Sequence, residues 1–133
     1  MTREKRQKVL LLIPLGIITG LLIYSWTTFL LTDTTASWRH YLALGLFTVL
    51  VYLYFNSFEQ TVIATGLYLL FATFNAFSMT PQIMTSWFNI GSIETPHFVT
   101  SSLLLLILFL ILNSDALVNM YLDQKEAKTK PKE

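Results

Sequence analysis

Four long apolar stretches divide this chain, and they constrain its fold more than any other feature. They cover residues 9–31, 38–55, 58–77 and 96–117, and within them the segments 41–55, 61–76 and 98–112 contain no Asp, Glu, Lys or Arg. A helix needs about 20 apolar residues to cross a hydrocarbon layer of roughly 30 Å. The apolar residues are continuous and do not alternate with polar ones, which favours helices over a membrane barrel. The sequence therefore predicts an all-α, membrane-embedded four-helix bundle, running up-down-up-down in a single domain of residues 1–133.

Composition excludes several other classes of protein. Hydrophobic residues make up 53% of the chain and charged residues 13%, whereas soluble domains carry roughly 25% charged residues. This balance argues against a soluble enzyme, and equally against a disordered chain, which needs low hydrophobicity. The absence of Cys excludes disulfides, thiolate nucleophiles and Cys-ligated metals. A net charge of +1 predicts no nucleic-acid partner.

The first stretch has a basic start, as a secretory signal does, but it differs from one in two respects. Its apolar core is longer than the roughly 7–15 residues of a signal, and no A-x-A-like cleavage site follows it. We therefore interpret it as an uncleaved first span.

The charged residues predict the direction of the spans. Four crossings place both termini on one side, together with eight of the nine basic residues: Arg3, Lys5, Arg6, Lys8, Lys125, Lys128, Lys130 and Lys132. Because basic residues concentrate on the cytoplasmic side, we expect both termini, including the basic tail of residues 118–133, in the cytoplasm of a cell inner (plasma) membrane. Trp26, Trp38 and Trp87 then fall at the outer interface, where indole rings anchor.

Small residues indicate where the spans pack closely. Gly16 and Gly20 form a G-x-x-x-G pair, and the third span carries small residues at four- and seven-residue spacing: Thr61, Thr65, Ala72 and Ala76. Such residues let helix backbones approach each other in lipid. We expect the first and third spans to form the packed centre, with the glycine pair used inside the bundle rather than as a dimer face. The Leu-rich fourth span is expected to face lipid or another subunit.

Helix ends have sequence signals of their own. Ser57 and Gln60 have the spacing of a capping box at the start of the third helix. Thr95 before Pro96 predicts the start of the fourth helix there, with proline at its first position.

Polar residues cluster at the outer end of the predicted bundle, and the candidate ligand or partner residues come from this set: His40, Asn75, Glu94, His97 and Ser101. One interpretation is a shallow cavity that binds a ligand head group or a partner. The other is ordinary interfacial solvation with hydrogen bonds between helices. His40 and His97 also resemble a haem-ligand pair, or a metal site together with Glu94. We rank structural histidines above both, and predict no cofactor, no metal and no catalytic residue, since neither H-E-x-x-H nor G-x-S-x-G occurs.

Three functional hypotheses follow. The first is a non-catalytic accessory or structural subunit that works by helix packing with a membrane-protein partner or by self-association. The second is a small oligomeric pore or transporter whose uncharged pathway uses Thr61, Thr65, Thr73 and Asn75. The third is a redox anchor built on His40 and His97. The lack of charge within the apolar segments and the lack of catalytic motifs favour the first.

Overall fold

The computed structural model describes residues 1–81, 85–86, 89–90, 92–94 and 98–129, and most of these residues belong to four helices. These are α1 (Arg3–Leu31), α2 (Trp38–Asn56), α3 (Phe58–Thr73) and α4 (Thr100–Thr129). The prediction of a helical chain with four helices is confirmed for this part of the protein. Two of the helices, α1 and α4, are long and apolar enough to cross a membrane, each with a mean hydropathy of 2.2 over its best 18 residues. With 19 and 16 residues, α2 and α3 are shorter.

The helices form an open bundle with two distinct ends. The linker of residues 32–37 and the segment after α3 lie at one end, here called the linker end. The start of α1, the second half of α4 and the α2–α3 turn lie at the other, here called the terminal end. The central helix is α3, which packs against α2 on one side and α4 on the other, and α1 packs mainly against α4. α1 and α2 do not pack closely against each other. Of the four interfaces between neighbouring helices, three are therefore closed and the fourth, between α1 and α2, is an open seam.

Contrary to expectation, α4 does not turn its Leu-rich surface wholly outward. Its buried residues recur every three or four positions, which makes one continuous face: Ser102, Leu105, Phe109, Asn113 and Ala116. Phe109 is 1% exposed and lies against Gly66 of α3, where an added Cβ would stand 3.2 Å from Phe109 Cε1. Gly66, which the small-residue pattern did not single out, therefore leaves room for the Phe109 ring between α3 and α4.

A single extended residue joins α2 to α3. Ser57 has φ −153° and ψ 115°, ends α2 and begins α3. Its hydroxyl makes no capping hydrogen bond to α3, so the capping box predicted with Gln60 is not formed. Ser57 contributes its carbonyl instead, which accepts from Thr61 N at 3.1 Å and from Thr61 Oγ1 at 2.7 Å.

Two short antiparallel strand pairs precede α4. β1 (Thr85–Ser86) pairs with β4 (Phe98–Val99), and β2 (Asn89–Ile90) pairs with β3 (Ile93–Glu94). The fourth helix consequently begins at Thr100 and not at Pro96, because residues 98–99 are extended in β4. The sequence does carry a signal for the inner pair, since Gly91-Ser92 between two isoleucines is typical of a two-residue hairpin turn.

Polar contacts join α1 to α4 at the terminal end. Arg6 forms an ion pair with Asp115 at 3.3 Å, and Arg3 donates to Asn119 Oδ1 at 3.2 Å. Both side chains of the ion pair are more than half exposed, so its contribution is on the order of 0–1 kcal/mol. These contacts lie between the start of α1 and residues 115–119 of α4 and add little to the stability of the fold.

Candidate functional site

His40 links the start of α2 to the segment that follows α3. Its Nδ1 accepts from the backbone N–H of Ser37 at 3.2 Å, which completes a capping box with Ser37 as N-cap. Its Nε2 lies 3.0 Å from the carbonyl oxygen of Thr80. A carbonyl oxygen can only accept, so Nε2 carries the proton and the ring is the neutral Nε2–H tautomer. Haem or metal ligation by His40 would break one of these two bonds.

The segment Phe77–Thr80, here called the strap, is held across the linker end of α2 and α3. Phe77 is 2% exposed and its ring lies 4.5 Å from that of Tyr68, whose hydroxyl donates to the Ala43 carbonyl at 3.1 Å. Ser78 donates from its backbone N–H to the Arg39 carbonyl. The strap is therefore fixed by buried aromatic packing and by the bond from His40.

The strap forms one wall of a cavity of about 480 Å³ at the linker end, here called the linker-end cavity. The other walls come from α1 and from the first turns of α4, and the lining residues are Tyr24, Thr28, Thr80, Pro81, Thr100, Ser101 and Leu104. Of the candidate site residues, Ser101 lines this cavity directly. His40 does not line it but positions Thr80, which does.

Asn75 has a backbone role at the end of α3. It is the described non-glycine residue with positive φ, at 60°. Its N–H bonds the Ala72 carbonyl and the N–H of Ala76 bonds the Phe71 carbonyl, both at 3.0 Å. These two bonds define a Schellman motif, in which Asn is the common alternative to Gly at the left-handed position. The apolar run continues to residue 77, but α3 ends at Thr73 because the backbone reverses here.

The small residues predicted on the third span lie in different environments. Thr61, Thr65 and Ala72 are buried, whereas Ala76 is exposed beyond the end of α3. Thr61, Thr65 and Thr73 each donate their hydroxyl to the carbonyl four residues earlier, at 2.7 Å. These hydroxyls are turned back to their own helix, and none of them lines the linker-end cavity or the open seam.

Gly16 and Gly20 are exposed on α1, and a Cβ at either position would meet no atom within 4 Å. The expectation that this pair packs inside the bundle is wrong, because α1 meets α4 through other residues: Leu11, Pro14, Leu15, Ile18, Leu22 and Ser25 form its buried face. Gly16 instead lines the seam between α1 and α2.

The seam is apolar and consists of two cavities of about 240 Å³ each, which share Thr19 and Phe47. It extends along α1 from Leu12 to Trp26, a length of about 21 Å at 1.5 Å per residue. Only at the linker end do aromatic rings bridge the two helices, with Trp26 5.1 Å from Tyr41 and Phe29 4.7 Å from His40.

The remaining candidates lie in or beside the strand region. Glu94 is in β3, opposite Asn89. His97 lies outside the described residues, as do Trp87, Thr95 and Pro96, so the pairing of His40 with His97 stays a prediction. Among the described residues, no group of three or more His, Asp or Glu could hold a metal ion.

A second polar cavity, of about 320 Å³, lies at the terminal end. Its acidic lining residues are Glu4, Glu59 and Asp123. Glu4 is paired with Lys8 at 3.0 Å, and Glu59 lies in the first turn of α3, where the helix dipole favours a negative charge.

Sequence reasoning missed Asn113 and the capping role of His40. Asn113 is 2% exposed in the middle of α4; its amide nitrogen donates to the Phe109 carbonyl at 3.1 Å, but its Oδ1 has no partner among the described residues. An isolated Asn at the end of an apolar run was the available signal. For His40, the signal is its position three residues after Ser37, which is the spacing of a capping box, although Glu or Gln is the usual residue there.

The chain matches no protein-family model, no curated protein and no solved structure.

Proposed function

We propose that this chain is a four-span protein of the cell inner membrane, with both termini in the cytoplasm, and that it acts without catalysis by packing against a transmembrane helix of a partner. The observation that carries the proposal is the open seam between α1 and α2, with an exposed glycine pair beside it. The partner helix occupies this seam.

Burial and charge support the membrane placement. In the best apolar windows of α1 and α4, 33% and 28% of residues are buried in the bundle, whereas the core helix of a soluble protein is mostly buried. Leu30, Ile111 and Phe55 are each more than 60% exposed, on three different helices. Apolar exposure on this scale requires lipid or protein around the bundle. The concentration of basic residues at the termini supports a cytoplasmic terminal end.

The chemistry of the seam favours a helix as its occupant. Lipid tails are as apolar as leucine, so helices associate in a membrane through close contact, which small residues permit. Gly16 lines the seam and Gly20 lies one turn further along α1, so a partner backbone can approach α1 there. The aromatic side chains of Phe47, Tyr54 and Phe55 provide the opposite wall.

Leucine substitutions at the glycines test the proposal. Gly16→Leu and Gly20→Leu add bulk where a Cβ meets nothing within 4 Å, so the isolated chain should fold normally. Leucine at position 16 obstructs the seam itself, and leucine at position 20, which does not line the seam, blocks the approach of a partner backbone to α1 one turn further along. Gly45→Leu is the matched control, because Gly45 is an exposed helical glycine with equally open surroundings but does not line the seam. The three variants and the original chain are crosslinked in membranes, extracted in mild detergent and compared for the mass of the recovered complex.

We expect a complex with the original chain and with Gly45→Leu, and its loss with Gly16→Leu and Gly20→Leu. If the complex is a homo-oligomer and is lost in the same two variants, the helix in the seam belongs to a second copy of this chain and not to a different protein. A monomer in every sample, or a complex equally present in all four, would contradict the proposal.

A further inference from the structure

The linker-end cavity has the size and the lining of a ligand site. Its volume of about 480 Å³ lies in the range of about 300–1,000 Å³ that such sites occupy. Five of its seven lining side chains carry a hydroxyl, and the other two are Pro81 and Leu104. None of these seven is Asp, Glu, Lys, Arg or His, and within the described part of the linker end the charged side chains of Asp33 and Arg39 do not line the cavity.

We propose that this cavity binds a membrane lipid through an uncharged, hydroxyl-bearing head group, such as a glycerol or a sugar. The inference rests on the membrane placement proposed above, but not on the seam or its partner. Hydroxyl side chains both donate and accept, which matches the hydroxyls of such a head group. An ionic head group would lose water in this site without gaining a counter-charge from the lining.

The position of the cavity relative to the membrane, in the proposed topology, is the one at which a lipid head group would lie. Thr28 lies near the end of α1, and Thr100 and Ser101 begin α4, so in the proposed topology these hydroxyls lie at the outer interface, where head groups are found. Leu104 lies one turn further along α4 and is 63% exposed. An acyl chain that continues from the head group passes over Leu104 into the hydrocarbon layer.

Two hydroxyls of the lining, those of Thr28 and Ser101, can form hydrogen bonds with a head group in the cavity. The Thr28 hydroxyl donates to the Tyr24 carbonyl at 2.8 Å, which leaves its oxygen as an acceptor towards the cavity space. The Ser101 hydroxyl is exposed and has no hydrogen-bond partner within the described part of the chain.

Photocrosslinking tests this inference. A diazirine-bearing residue is introduced in place of Ser101 or, as the control, in place of Thr27, and the lipid adducts formed in native membranes are identified by mass. Thr27 is an exposed hydroxyl residue at the same end of α1, next to Thr28, but it does not line the cavity. Two further substitutions are each combined with the probe at position 101. Thr28→Phe fills the cavity, whereas Thr27→Phe, its control, leaves the cavity open.

Relative to position 27, we expect the probe at 101 to enrich uncharged hydroxyl lipids by about fivefold, the factor that one net hydrogen bond of about 1 kcal/mol gives. Thr28→Phe should abolish the enrichment and Thr27→Phe should keep it. Equal lipid profiles at both positions, enrichment of anionic phospholipids, or adducts to protein at position 101 would overturn the inference. Absence of lipid adducts at both positions would instead contradict the membrane placement.

Discussion

Replacing His40 with Ala should loosen the linker end of the bundle. Two hydrogen bonds are lost, one from Ser37 N–H to Nδ1 and one from Nε2–H to the Thr80 carbonyl. At about 0.5–1.5 kcal/mol net for each bond, the free energy of unfolding falls by about 1–3 kcal/mol. The edge-on contact with Phe29 is lost as well, which places the expected loss towards the upper part of that range.

His40→Gln is the matched control, because glutamine is a usual partner in a capping box. Its amide has an acceptor for the Ser37 N–H and a donor for the Thr80 carbonyl, so the same polarity is kept. Unfolding in detergent measures stability for both variants. Pro81 directly follows the strap, and the chain has no other cysteine, so the labelling rate of Pro81→Cys reports release of the strap. This rate should rise in His40→Ala and change little in His40→Gln. Equal stability and equal labelling in the two variants would refute the linking role of His40.

Three further sets of substitutions, at Asn75, at Gly66 with Phe109 and at Asn113, test the packing of the bundle by the free energy of unfolding in detergent. Asn75→Gly should be neutral or stabilising while Asn75→Val costs about 1–2 kcal/mol, because a β-branched residue is strained at φ 60°; the reverse order would contradict the Schellman motif. Gly66→Leu should cost about 1–3 kcal/mol through overpacking against Phe109, and Phe109→Ala in the same chain should recover part of it, whereas additive losses would contradict the contact. Asn113→Leu should raise stability by up to about 1 kcal/mol, because the buried Oδ1 lacks a partner, and a loss would show that this oxygen is satisfied in the protein.

The four helices could be predicted from the sequence because the length and continuity of each apolar stretch indicate a helix. Their ends were harder to place. The apolar run of the third span continues through Phe77, but a left-handed residue at Asn75 ends α3 at Thr73. Hydrophobicity carries no information about φ, so such a reversal is visible only in the type of residue at the turn.

The buried face of α1 could not be predicted, and the reason is physical. In a soluble helix the buried side is apolar and the exposed side is polar. Here both sides of α1 are apolar, since Leu11 and Ile18 are buried while Ile13 and Ile17 are exposed. Spacing alone therefore could not show that Gly66 lies in a tight interface while Gly16 and Gly20 face outward.

The polar character of the linker end could be read from the sequence, but the contacts made there could not. The clustering of hydroxyls near one end left two interpretations, a shallow cavity or ordinary interfacial solvation, and in the structure Thr28, Thr100 and Ser101 line a cavity. The roles of His40 and Asn75 are structural, and they depend on contacts with residues brought close only by folding, such as Thr80.

The path of the chain through the membrane is the central claim, and cysteine labelling in intact cells tests it most directly. Single cysteines replace Thr34, Asn56 or Thr129, three exposed residues at the linker, the α2–α3 turn and the end of α4. A membrane-impermeant reagent should label Cys at position 34 from outside, and positions 56 and 129 only after the membrane is opened. Labelling of positions 34 and 56 from the same side would show that α2 does not cross, and the four-span account would be wrong.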